Sequence, residues 1–156
     1  MSNTDRKIAI VAMGQSQIDF HLSQVHSVLF DEIWAINAMI GVLPNIDKAF
    51  ILDPMSRFLD THDAGGMTDM MRRTLPLVDY PIYSCELDSR VPAVEEYPLE
   101  SIVKDLGCSY FNNTIAYAIA YALWAKVGSY IWCRFYLQNK YALCRIRKGL
   151  CRVLDS

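Results

Sequence analysis

Apolar positions in this chain fall into short continuous runs separated by helical periods. Ile8-Ala9-Ile10-Val11-Ala12, Ile33-Trp34-Ala35-Ile36, Lys48-Ala49-Phe50-Ile51-Leu52 and Pro81-Ile82-Tyr83-Ser84-Cys85 have strand length and no alternation. A strand covered on both faces loses the alternating pattern, so these runs predict a parallel sheet with helices on each side. Between them, Ile18, Leu22, Val25 and Leu29 recur at i, i+4, i+7 and i+11, the apolar face of a helix over residues 16–30. Shorter helices are expected over 56–60 and 67–75, the second stopped by Pro76. One over 98–107 has Pro in its first turn and a Gly stop. Residues 38–45 have room for one helical turn before Pro44, and 86–96 read as irregular. The segment Ile115 to Val127, IAYAIAYALWAKV, is apolar on nearly all sides and rich in Ala, which suits a helix lying close on a sheet. Its uncharged run of eleven residues is short of the roughly twenty that a membrane span needs.

The expected architecture is therefore α/β, an open, mainly parallel, Rossmann-like sheet with helices on both faces. In such a sheet the carboxyl ends of the strands share one rim, and ligands bind outside that rim. The first strand leads into Gly14, Gln15 and Ser16, with Ser16 and Asp19 at capping-box spacing. Backbone N–H groups from Gly14 to Gln17 can then hold a phosphate or carboxylate at a helix N-terminus. A lone Gly14 falls short of the three-glycine dinucleotide fingerprint, and taken alone it reads first as a structural βα turn. The second strand ends in Asn37, where a nucleotide dehydrogenase would place an acid; an amide offers both donor and acceptor to a base or a sugar, or satisfies its own turn. Asp53, held extended before Pro54, can bind a sugar hydroxyl or a divalent ion such as Mg²⁺. Asn112, Asn113 and Thr114 precede the Ala-rich helix, and one of them caps it. Together these groups suit an anionic, nucleotide-like ligand.

His21 and His26 lack partners at metal spacing and read as solvated or half-buried helix residues. Arg72 and Arg73 read as a solvated face. His62 and Asp63, beside Gly65-Gly66, allow a lid carrying an acid–base group, with nothing to fix its geometry. No residue stands out as a nucleophile, so any chemistry would rest on positioning and metal-assisted activation of phosphate.

Apolar content of 53% over 156 residues allows one sizeable core and argues against disorder. The polar start MSNTDRK is followed by too short an apolar run for a signal peptide, so a cytoplasmic setting is expected. Five cysteines with no C-x-x-C read as buried thiols rather than a zinc site or disulfide framework. The net charge of −2 hides a break: residues 1–128 carry 9 basic and 16 acidic residues, a balance of −7, whereas 129–156 carry 6 and 1, a balance of +5. Two segments follow: a nucleotide-binding unit over 1–128 and a basic tail over 129–156.

VAMGQSQ, DEIWAINAM, ILDP and YFNNTIAYAIAYALWAKVG, in that order, resemble a group of phage-encoded Rossmann-like proteins. That group is similar to the archaeal 6-hydroxymethylpterin diphosphokinase-like family and, more distantly, to the nucleotide-sugar-binding half of some bacterial sialyltransferases. The resemblance covers roughly residues 7–128. It implies a nucleotide-phosphate site at Gly14 to Ser16, with Asn37, Asp53 and Asn112 to Thr114 around it, and brings no activity with it. The function expected of such a site is that of a transferase acting on a nucleotide or nucleotide-sugar, or of a non-catalytic protein that sequesters a nucleotide, in a host cytoplasm if phage-encoded. Gln15 stands where the relatives often have Pro. The relatives continue after the Ala-rich helix with a strand and a turn of the form Y-G-x-D-F. This chain instead reads SYIWCRFYLQNKYALCRIRKGLCRVLDS. A single-base shift near Ser129 to Ile131 accounts for the difference, because Tyr130 to Ser156 back-translate so that the +1 frame reads YGVDFTYKINMPCAESGKACVEFWIA. Its Gly is forced by Trp132 and Cys133; its Asp is one of four residues allowed after Arg134. The final strand and helix are then atypical or truncated, with Tyr130-Ile131-Trp132 as a substitute strand. The rival reading is a genuine basic tail for nucleic acid or membrane, in which Arg134, Lys140, Arg145, Arg147, Lys148 and Arg152 interleave with apolar residues.

Overall fold

The computed structural model describes residues 7–15, 17–27, 29–63, 65–107 and 111–125, and the backbone of the strands between 130 and 155. Its elements are β1 (Lys7–Val11), α1 (Gln17–Val25), β2 (Glu32–Ile36), β3 (Lys48–Phe50), α2 (Met55–Leu59), α3 (Gly66–Thr74), β4 (Ile82–Ser84), β5 (Val94–Glu96), α4 (Leu99–Leu106), α5 (Thr114–Trp124), β6 (Tyr130–Leu137), β7 (Lys140–Arg147) and β8 (Leu150–Asp155). The strand order is β5-β4-β3-β2-β1-β6-β7-β8. The six strands from β5 to β6 are parallel, and β7 and β8 follow as antiparallel hairpins. This is the expected Rossmann-like α/β sheet.

The continuous apolar runs are explained by the two cores they serve. Along β1, Ile8 and Ile10 enter one cluster, whereas Ala9 and Val11 enter the other. Trp34 and Ile36 of β2 divide from Ala35 in the same way. The cluster of Ala9 and Val11 takes Phe20 of α1, Met55 and Phe58 of α2 and Met71 of α3; the cluster of Ile8 and Ile10 takes Ile102 of α4 and Ala118, Ala120 and Ala122 of α5. The chain steps outward from β1 to β5, with α1, α2 and α3 on one face. It then returns to β6 with α4 and α5 on the other. Right-handed crossovers require that change of face when the direction of travel reverses.

Small side chains let α5 lie close. Its buried alanines bring Tyr121 against Trp34, Phe50 and Tyr83, with ring centroids 5.8, 5.5 and 4.5 Å away. The Gly stop is confirmed at Gly107, whose φ of +67° forms a left-handed cap and whose N–H donates to Val103 O at 3.0 Å.

Two expectations need correction. The apolar stripe of the first helix does not face the sheet: Ile18, Leu22, Val25 and Leu29 are 60%, 50%, 77% and 80% exposed, and Phe20 is the buried residue of α1. Phe20 lies on the opposite side of the helix, stacked on Phe30 at a centroid distance of 5.9 Å. The stretch 86–96 is not wholly irregular, since Val94–Glu96 adds the outermost parallel strand. Gly14 turns without a positive φ; among the described residues the glycines that need one are Gly65 and Gly107. The expected turn after the second strand is a 3-10 segment, Asn37–Gly41. In the tail, Tyr130, Ile131 and Trp132 pair in parallel with Lys7, Ile8 and Ala9, as expected of a substitute strand.

Candidate functional site

Because β1, β2 and β3 are adjacent and parallel, Gly14 and Gln15, Asn37 and Asp53 leave three neighbouring strands at the same rim. The rim also holds the switch point of the sheet, where β1 has β2 on one side and β6 on the other. Asn112, Asn113 and Thr114 reach it from the α5 face. The Tyr97 hydroxyl, one residue past the carboxyl end of β5, donates to Tyr117 O in the first turn of α5 at 2.9 Å. The described members of the expected set are thus brought to one edge of the sheet. Ser16 lies outside the described residues.

The backbone donors at this rim are partly committed. Gln17 N–H donates to Gly14 O at 3.1 Å and Ile18 N–H to Gln15 O at 3.3 Å, which closes the first turn of α1 on its own loop. That removes Gln17 from the N–H groups expected to face a ligand. At α5, Asn113 is extended, with φ −161°, and its Oδ1 accepts from Ala116 N–H at 2.9 Å. It is the cap among the three candidates. Asn112 is exposed and Thr114 half-buried.

Asn37 is the residue whose chemistry is incomplete. It follows the buried Ile36 directly and bends the chain out of β2 with a φ of +51°, a conformation in which Asn is enriched among non-glycine residues. Its Oδ1 is buried and meets no hydrogen-bond donor. A buried polar atom is normally paired, and the loss for leaving one unpaired is about 1–3 kcal/mol.

Asp53 is engaged. Arg57, one turn along, donates from Nη1 to Asp53 Oδ1 at 2.8 Å and from Nε to Asp63 Oδ2 at 3.1 Å. The two carboxylates push the Arg57 guanidinium further up from its ordinary value. A second clamp lies farther along the sheet, where Arg90 pairs with Asp60 at 2.6 Å and with Asp88 at 2.7 Å. Arg90 draws the Asp88 carboxyl down to about 2, first through its side-chain hydrogen bonds and then through its backbone N–H; its side-chain bonds also lower Asp60. Cys85 Sγ donates to Leu52 O at 3.0 Å, and the buried Ser84 Oγ accepts from Glu86 N–H at 3.4 Å.

Arg57 and Arg90 are the rim residues that sequence reasoning passed over. The Asp53–Arg57 spacing of i, i+4 was available as a signal. The Arg90–Asp60 pair joins residues thirty apart and leaves no local trace. His62, expected on a lid, places Nδ1 3.2 Å from Asp69 Oδ1, and Asp63 serves Arg57 instead. His21 and His26 are exposed, as is Arg73, while Arg72 is half-buried and donates to Leu59 O and Thr61 O.

Among the described residues, no three His, Cys, Asp or Glu side chains gather at metal-binding spacing, and no helix is long and apolar enough to cross a membrane. Mg²⁺ usually takes one or two carboxylates plus the oxygens of a substrate phosphate. Asp53 fits that pattern only in company with a bound phosphate. A groove of about 500 Å³ lies at the opposite, amino edge of the sheet, lined by Ile40, Leu43, Arg73, Asp79 and Tyr80 among others, and takes in none of these rim residues. The charge break of the tail falls on β6, β7 and β8, whose pairing is given above. No protein-family model matches this chain, and no curated protein or solved structure matches it either.

Proposed function

We propose that this chain binds a nucleotide or a related phosphate ligand at the carboxyl rim of its sheet, across Gly14, Gln15, Asn37 and Asp53. Asn112, Asn113 and Thr114 form the far wall. The observation that carries this reading is the buried, unpartnered Oδ1 of Asn37, at the position where an open parallel sheet takes its ligands. Asp53 would hold Mg²⁺ together with the ligand's phosphate oxygens, and the ion would supply charge neutralisation for phosphoryl or glycosyl transfer. As an enzyme the chain would be a transferase acting on a nucleotide or a nucleotide-sugar.

A second reading is a non-catalytic protein that sequesters the nucleotide. It is favoured by the direction of the shifts near the rim. Arg90 holds Asp60 and Asp88 ionised, and Arg57 is driven further from neutrality. These groups act as structural ion pairs, not as acids or bases tuned to pH 7. Calorimetric titration of the full chain with nucleoside mono-, di- and triphosphates and sugar nucleotides, with and without Mg²⁺, tests both. Binding with release of diphosphate, nucleotide or sugar supports the transferase, and binding without turnover supports sequestration. Failure of every one of these ligands to bind overturns the reading.

A further inference from the structure

We infer that Arg57 is the cation that meets the ligand's phosphate at this rim, turning to it from Asp53 while Asp63 keeps its hold. The inference rests on the nucleotide reading above and adds which side chain the phosphate takes. Two arginines stand between pairs of carboxylates here, and their donors differ. Arg90 commits Nε, Nη1 and Nη2 to Asp60 and Asp88. Arg57 commits Nε to Asp63 and Nη1 to Asp53, and among the described residues its Nη2 meets no acceptor. Its side chain is 48% exposed. The backbone beneath it is fixed, because Met55 and Phe58 of α2 are buried in the core. A planar guanidinium held at its base, with its Nη edge open to solvent, has the form that grips phosphate oxygens.

The two carboxylates that hold Arg57 are not equivalent. Asp63 Oδ1 also accepts from Thr61 Oγ1 at 2.8 Å. Among the described residues the Asp53 carboxylate has Arg57 as its partner and no other. An exposed ion pair contributes little to stability, so Asp53 can change partners without loss of the fold. Arg57 then keeps Asp63 through Nε and turns Nη1 and Nη2 to the phosphate. Charge requires that exchange. Asp53 and Asp63 outnumber Arg57 two to one, so the closed clamp is net negative and repels a phosphate. With Asp53 given over to Mg²⁺, as in the reading above, the sign reverses and Arg57 is left with one carboxylate. The phosphate therefore lies on the Asp53 side of the rim.

The test is a calorimetric titration of the full chain with ADP, GDP, CDP, UDP and inorganic diphosphate, each with and without Mg²⁺. Arg57→Gln is expected to weaken binding in the presence of Mg²⁺ by about tenfold or more, the worth of one hydrogen bond between charged groups. Arg57→Lys keeps the charge without the fork and is expected to recover part of that loss. Asp53→Asn is expected to remove the effect of Mg²⁺. Asp63→Asn frees the Arg57 Nε and is expected to tighten binding without Mg²⁺, a gain that a misfolded chain cannot produce. Asp88→Asn removes the same charge beside Arg90 and is expected to leave affinity unchanged. If these ligands bind and Arg57→Gln binds them as well as the wild type, this inference falls while the nucleotide site stands. If Asp63→Asn and Asp88→Asn tighten binding equally, the overall charge and not Arg57 is responsible, and the inference falls again. If none of the five ligands binds, both readings fall.

Discussion

The Tyr121 hydroxyl donates to the Tyr83 hydroxyl across 2.7 Å and so ties α5 to β4 inside an aromatic cluster. Burial, then this contact, push the Tyr83 hydroxyl well above its ordinary value. Both rings also pack on Phe50, at 5.4 and 5.5 Å between centroids. The packing should therefore outweigh the hydrogen bond. Tyr121→Phe is expected to cost about 0.5–1.5 kcal/mol, the net worth of one hydrogen bond. Tyr121→Ala is expected to cost about 2–4 kcal/mol because it removes a ring from a packed core. Urea unfolding of the two variants compares the terms, and equal losses would mean that the hydroxyl pair dominates.

Phe20 and the stripe opposite it give a second comparison. Ile18, Leu22 and Val25 form the apolar face of α1 by periodicity, yet Phe20 is the residue in the core. Replacing Ile18, Leu22 or Val25 singly by Gln should change stability by no more than about 0.5 kcal/mol, as at other exposed positions. Phe20→Ala should cost about 3–4 kcal/mol. A large loss from Leu22→Gln with a small one from Phe20→Ala would place the stripe against the sheet.

Arg90 makes acid stability depend on one side chain. Its hydrogen bonds hold Asp88 at about 2, below the ordinary carboxylate value of 3.8, and lower Asp60 as well. A carboxylate whose pKa is depressed by folding contributes stability above its unfolded value and loses it as pH falls through the folded one. The wild-type chain should therefore lose stability between about pH 4 and pH 2. Arg90→Gln should already lack that contribution at pH 7 and show a flatter profile over the same interval. Thermal melts at pH 7, 4, 3 and 2 measure it, and parallel profiles would remove Arg90 as the cause.

The sheet was legible in the sequence because a strand buried on both faces cannot hide its apolar run: Ile8 to Val11 and Ile33 to Ile36 leave no other reading. The rim followed from parallel connection alone, so Gly14, Asn37, Asp53 and Asn113 were found without any distance. The orientation of α1 was not legible. Periodicity finds a helix's apolar face but does not say whether that face meets the sheet, and here Phe20 with Phe30 took the contact. β5 was missed because Val94–Glu96 is only three residues long and two of the three are acidic, as suits an edge strand. The commitments of Asp53 to Arg57 and of Gln17 N–H to Gly14 O are matters of ångströms and leave no pattern in the residues.

The tail supplies the remaining prediction. β1 is buried along Ile8 to Val11, and its second edge is closed by Tyr130, Ile131 and Trp132 of β6. Ending the chain after Gly128 would leave the unpaired N–H and C=O groups of a central, apolar strand open to solvent, a template for aggregation. The shortened chain is expected to be insoluble or to melt well below the full one. The same geometry bears on the origin of the tail. If a base was gained or lost near codons 129–131, restoring the frame should return Y-G-V-D-F in place of the residues that follow Ile131. It should also raise the melting temperature, because the strand beside β1 would again carry the sequence that its neighbours evolved with. Sequencing the gene through codons 126–134 and melting both versions decides this. A gene with no G-x-D-F in a neighbouring frame, or a restored chain that melts lower, would leave the basic tail as the native end of the sheet.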